Sequence, residues 1–309
     1  MNKIFSTLKF FIGWPLSVIA LFFLLKLAFP KFSSILPRIY SINMYFLVLS
    51  IALFIVYFLL RSFLWKKILE YKGHEISFAK TTYLWGFSEF KRYVPGNIWS
   101  FLSRVSLFSD TGIDKKIVGL ALLDEIQLIV ISSTLTSVFA LPLILSAPGE
   151  QMNEILLGSL IGILIYCISV GYIYKKRTKN GTLLTNIYLP SYTLKQKISL
   201  TFISVLTFFV FGFATFIACI SVNSFSLGMT IILSAFFVFA LLAGYLSFIT
   251  PMGLGVREGV ITIGLTPLVS VSTAGFLSVF SRIILIISEV TFLILILLWD
   301  KLISTNPNK

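Results

Sequence analysis

Histidine, cysteine and acidic side chains are scarce in this chain. Its 309 residues include one His, two Cys and 12 Asp or Glu, against 25 Lys and Arg. A lone His74 cannot build an imidazole-based zinc or haem site. Cys167 and Cys219 fall inside apolar runs, without the spacing of a disulfide framework or a metal site. No phosphate-cradling Gly-rich motif ending in Gly-Lys-Ser or Gly-Lys-Thr is present, so the chain carries no ATP-driven engine of its own. Charged residues make up only 12%, too few for a soluble domain of this length. In their place stand 57% hydrophobic residues, 31 of them Phe, and a mean hydropathy of +0.98. Such a composition belongs in a bilayer.

The formal net charge of +13 is explained by topology. Arg61, Lys66, Lys67, Lys72 and Lys80, and then Lys175, Lys176, Arg177, Lys179, Lys195 and Lys197, collect between apolar runs. This is the expected pattern of cytoplasmic loops facing anionic lipid, where each charge is worth about 1 kcal/mol. No nucleic-acid motif accompanies them. The segment between Pro142 and Glu154 has Glu150 and Glu154 but no Lys or Arg, which places it outside. Lys26, Lys31 and Arg38 run against this orientation and are outweighed by the later loops.

Six runs approach the roughly 20 apolar residues needed to cross: Phe10–Phe29, Ile42–Leu60, Ile117–Leu141, Ile155–Tyr174, Ile198–Val222 and Ala274–Trp299. The first has no small-residue cleavage site and reads as a retained span. Two further regions are interrupted by helix breakers and charge. Ala79–Ser109 contains Glu89, Lys91, Arg92, Pro95, Gly96 and Asn97 in its middle. Met229–Val271 contains Pro251, Gly253, Gly255, Arg257, Glu258 and Gly259. Non-helical backbone at membrane depth is tolerated only where protein or a water-filled cavity surrounds it. Both regions therefore read as re-entrant hairpins, although Met229–Ile249 alone is long enough to cross. The expected fold is an all-α polytopic membrane domain over residues 1–309, with six full spans, two Pro-Gly hairpins and a short tail over 300–309. Residues 42–141 and 198–299 would form inverted repeats: Pro95 precedes Glu125 by 30 positions, and Pro251 precedes Arg282 by 31.

Arg92, Asn97, Arg104, Arg257, Glu258 and Arg282 are the candidates for a headgroup cavity, because guanidinium grips phosphate oxygens bidentately. Free N–H groups at half-helix starts after Gly96 and Gly255 would add to it. Asp124, Glu125 and Glu289 are candidates for carrying protons or pairing with arginine. Glu125 is read either as a proton site or as a buried partner of Arg104 or Arg282. Arg282 and Glu289 lie seven apart on one helix face, too far to pair with each other. Arg257 and Glu258 read either as headgroup ligands or as a pair pinning the hairpin. Trp65, Trp85 and Trp99 read as interface anchors. Arg61–Lys80 reads as an amphipathic helix along the headgroups or as a solvated loop. No metal-ligating cluster is spelled, and no cofactor is called for.

Tyr93-Val94-Pro95-Gly96-Asn97-Ile98-Trp99, followed by Arg104, Glu125 and Pro251-Met252-Gly253-Leu254-Gly255-Val256-Arg257-Glu258-Gly259, resembles the flippase-like membrane domain of lysylphosphatidylglycerol synthase. Such domains also occur alone in inner membranes. The likeness runs from about Phe10 to Trp299, and Met252 departs from the glycine usual there. The resemblance implies movement of an anionic phospholipid or polyprenyl-phosphate-linked headgroup between leaflets of a prokaryotic cytoplasmic membrane, with both termini cytoplasmic. The chain stops ten residues after Trp299, so the soluble aminoacyl-transferase domain is not expected and the protein is not read as an enzyme. Two alternatives are a membrane-embedded enzyme acting on lipid phosphates and a non-transporting partner of a glycosyltransferase or lipid synthase.

Overall fold

A segment of Asn43, four apolar residues in five and no early proline makes a helix wherever a side chain can cap its free N–H groups. Asn43 Oδ1 accepts from Tyr45 N at 3.0 Å and starts helix α1, Met44–Tyr71. Ser77 caps α2, Phe78–Phe90, which runs into a short 3-10 turn at Lys91–Tyr93. After the first Pro-Gly loop, α3 occupies Trp99–Ser109. Asp114 caps α4, Lys115–Ser137. Thr193 and Gln196 form a reciprocal capping box for α5, Leu194–Ile220. Helix α6 covers Thr230–Leu246, α7 Val256–Leu265 and α8 Val271–Ser304.

This computed structural model describes residues 40, 42–93, 99–141, 143, 192–247, 253 and 255–304. Among the described residues there are eight α-helices and no strand. The expected spans Phe10–Phe29 and Ile155–Tyr174 lie outside them, as do Pro95, Gly96, Asn97, Pro251 and Met252. Four helices, α1, α4, α5 and α8, are long and apolar enough to cross a membrane. Helix α6 is shorter than the apolar run that contains it: 17 residues make about 25 Å, against about 30 Å of hydrocarbon.

Arg61–Lys80 does not form a separate surface helix. Helix α1 continues unbroken through Arg61 to Tyr71, and Arg61, Leu64, Trp65, Ile68 and Leu69 are buried along it. The basic residues that looked like a loop are the end of a span, because Phe63, Leu64 and Trp65 keep the apolar stripe going past Arg61.

Helix α1 packs most extensively on α5, and α5 in turn on α6 and α4. Phe211 of α5 meets Phe54 and Tyr57 of α1 at ring distances of 5.8 and 5.2 Å. Ser50 Oγ donates to the Ala214 carbonyl across the same contact at 2.8 Å. Lipid tails are as apolar as Leu, so such packing and polar ties, not hydrophobic burial, hold membrane helices together. Glycine sets the closest approach. A Cβ at Gly212 on α5 would lie 2.1 Å from the Ser234 carbonyl oxygen of α6, and one at Gly264 on α7 would lie 2.0 Å from Phe236. Helices α2 and α3 pack against each other and against α1, α4 and α8; α7 is held between α6 and α8. Helix α8 thus touches both hairpins.

Candidate functional site: two buried charge clusters

Arginine and glutamate inside the apolar bundle gather into two clusters. The first belongs to the α2–α3 hairpin. Arg104 on α3, 2% exposed, uses its whole guanidinium: Nη1 donates to Glu125 Oε2 at 2.5 Å, Nη2 donates to Glu89 Oε2, and Nε donates to Ser88 Oγ at 3.0 Å. Glu125 on α4 takes Arg61 Nη2 on its other oxygen at 2.8 Å. Arg92 bridges Glu89, at 2.9 Å, and Glu289 of α8, at 2.5 Å. Three guanidinium groups therefore face three carboxylates, and the cluster is electrically balanced.

Tryptophan completes it. The Arg104 guanidinium lies 5.1 Å from the Trp65 ring and 5.2 Å from Trp85, and Arg61 lies 5.4 Å from Trp85. Desolvated contacts of this kind are worth about 2 kcal/mol each. Trp65 and Trp85 are buried at 0% and 1% exposure and are not interface anchors; the positive charge beside them makes an indole face inside the bundle favourable. Trp99 stays exposed. Beside the cluster a shallow cleft between α1, α2 and α8 is lined by Phe58, Trp85, Glu89, Glu289 and Phe292.

The second cluster belongs to the α6–α7 hairpin. Gly253 and Gly255 have φ of 64° and 87°, left-handed values that favour glycine. Gly253 also has no room for a side chain: a Cβ there would lie 2.5 Å from Gly244 Cα on α6. The first turn of α7 lies inside the bundle, where Arg257 and Glu258 are 3% and 2% exposed. Glu258 is fully engaged. Oε2 accepts from Gly255 N at 2.7 Å and Oε1 from Arg282 Nη1 of α8 at 2.6 Å. The N–H of Gly255 itself, at the cap of α7, is thus taken by the helix's own third-position carboxylate.

Arg257 is different. Its guanidinium lies over the Phe211 ring at 5.1 Å, and Nε and Nη2 are buried with no hydrogen-bond partner among the described residues. Its electrostatic neighbours are Arg282, Glu258, Tyr57 and Arg92. With Glu258 committed to Arg282, the second cluster carries one uncompensated positive charge. Tyr57, which packs on the other contact of Phe211 and accepts from Arg61 Nη1 at 3.5 Å, stands between the two clusters.

Asp124 takes no part in either. It lies near the middle of α4, on a different side from Glu125, accepting from Lys72 Nζ at 2.7 Å and from the Tyr192 hydroxyl at 2.6 Å. Lys72 also lies 5.3 Å from the Tyr192 ring. Burial, reinforced by the Asp124 carboxylate, holds the Tyr192 hydroxyl far above the ordinary phenol range. Arg282 and Glu289, both on α8, go to different hairpins. Gly259 faces open space. Arg61, Glu89, Tyr57 and Lys72 were not singled out as site residues from the sequence. Arg61 was masked by its place in a basic run, while Glu89 stood in plain view three residues before Arg92.

No group of three or more His, Cys, Asp or Glu among the described residues is arranged to hold a metal ion. No curated protein and no solved structure matches the chain. The family model described as the lysylphosphatidylglycerol synthase TM region matches residues 8–292, nearly the whole length. Multiple membrane-spanning helices, charge concentrated at two hairpins and this match agree: the chain belongs to the lysylphosphatidylglycerol synthase transmembrane-region family, and its role is tied to membrane lipid.

Proposed function

We propose that this protein is a flippase-like transporter that carries an anionic lipid headgroup between the leaflets of a prokaryotic cytoplasmic membrane. One observation carries the reading: Arg257, buried in an apolar bundle, has two donor atoms without a partner among the described residues. An unpartnered buried guanidinium costs several kcal/mol, a penalty relieved when an anion arrives. Phosphate is the anion that a membrane supplies, and a planar guanidinium fits two of its oxygens.

Both hairpins are read as re-entrant, α6 being shorter than the hydrocarbon core. The headgroup would pass near Arg257 while its chains remain in lipid, and the two halves would tilt about α8. The balanced first cluster serves as the rigid wall. No covalent step is required of any residue, so the protein is read as a carrier and not as an enzyme. The basic loops favour cytoplasmic termini, and a synthase or glycosyltransferase would be the source of the lipid.

The test is reconstitution of the full chain into phosphatidylcholine vesicles containing a trace of fluorescent (NBD) phosphatidylglycerol. Dithionite then bleaches the outer leaflet. Bleaching beyond the outer-leaflet half, at a rate above that of protein-free vesicles, is the expected result. A final extent equal to that of protein-free vesicles would refute transport.

A further inference from the structure

We infer that the Arg257 site accepts a headgroup whose single phosphodiester is its only charge, and that it rejects the aminoacylated lipid for which the family is named. The inference rests on the transport reading above and adds the identity of the cargo. It follows from charge accounting inside the bundle.

On the positive side, the second cluster holds Arg257 and Arg282 against Glu258 alone, an excess of one. The neighbouring first cluster adds nothing to that excess, because Arg61, Arg92 and Arg104 are matched by Glu89, Glu125 and Glu289. One negative charge therefore neutralises the two clusters together. A phosphomonoester, which approaches a double charge above neutral pH, would leave an excess negative charge in a low-dielectric bundle.

On the negative side, an ammonium group entering the bundle needs a carboxylate. Among the described residues every buried carboxylate already holds a cation. Glu125 takes Arg61 on one oxygen and Arg104 on the other. Glu258 divides itself between Arg282 and Gly255 N. Asp124 is held by Lys72 and Tyr192. In the acidic cleft beside the first hairpin, Arg92 spans both carboxylates. A lysyl ester of phosphatidylglycerol brings two amino groups with its one phosphate, and its ε-ammonium alone offsets that phosphate. Its headgroup therefore cannot neutralise two clusters that together are one charge positive.

The experiment compares three NBD-labelled lipids with the same acyl chains in the same phosphatidylcholine vesicles: phosphatidylglycerol, its lysyl ester and phosphatidic acid at pH 8. Phosphatidylglycerol is expected to move at least about 10-fold faster than either of the others, the effect of one charged group left unpaired. Lysyl-phosphatidylglycerol moving as fast as phosphatidylglycerol, or faster, would overturn the inference and leave transport standing. Phosphatidic acid keeping pace would overturn its single-charge part. If no lipid moves above protein-free vesicles, the transport reading itself fails. Thermal stabilisation of the detergent-solubilised full chain by dioctanoyl phosphatidylglycerol, but not by its lysyl ester, would then still support the charge match. Equal stabilisation by both would refute it.

Discussion

The α2–α3 hairpin and the α6–α7 hairpin both put arginine on the leg after a Pro-Gly loop, yet they treat it in opposite ways. Arg104 in the first has a partner for each donor group and two indoles beside it. Arg257 in the second has an aromatic face beside it and two donor atoms without partners among the described residues. Each hairpin is tied to the following span by one ion pair, but with the charges exchanged: arginine on the leg and glutamate on the span in the first, Glu258 on the leg and Arg282 on the span in the second. The exchange consumes the second hairpin's only carboxylate in holding the hairpin, and this leaves Arg257 over. A closed cluster stabilises; an open one binds.

The largest expected effect lies in the closed cluster. Glu125→Gln leaves Arg61 and Arg104 short of a counter-charge, and breaking one side of a buried pair costs about 3–5 kcal/mol. A sharp drop in the thermal midpoint in detergent is the expected readout. An unchanged midpoint would mean that water reaches the cluster and that the two hairpins are alike.

Next comes the glycine turn before Arg257. Gly253→Ala places a side chain on a residue with φ of 64°, against the Gly244 backbone. Strain of this kind costs about 1–3 kcal/mol, and lipid transport should fall with stability, since the loop sets where α7 begins. Retained transport would uncouple the turn from the site.

A smaller effect is expected at the Lys72–Asp124–Tyr192 tie. Tyr192→Phe removes one hydrogen bond to a carboxylate that keeps Lys72, worth about 1–2 kcal/mol. Transport of phosphatidylglycerol should persist. Its loss would bring Asp124 into the site and undo the division between clusters.

Much of this was legible from residue order. Helix breakers within apolar sequence marked both hairpins, and Arg282 and Glu289, seven apart on one face, had to seek different partners. The partners themselves were not legible. Arg61 sat in a run of basic residues that resembles a cytoplasmic loop, and only the folded helix shows that the span continues past it. Trp65 and Trp85 carry the residue type of interface anchors; their role depends on Arg104 arriving from another helix. Nor does sequence reveal which arginine is left over, because that depends on which carboxylate each neighbour reaches first. Glu258, adjacent to Arg257 in the chain, pairs with Arg282 instead, since successive helical residues point in directions about 100° apart.

Arg257→Gln tests the central claim most directly, with translocation of NBD-phosphatidylglycerol and the thermal midpoint measured on the same preparation. Replacing a buried charge that has no partner with a neutral amide is neutral or stabilising. The account predicts a midpoint at or above that of the wild type, with translocation reduced to the rate of protein-free vesicles. Wild-type translocation in the variant would contradict it.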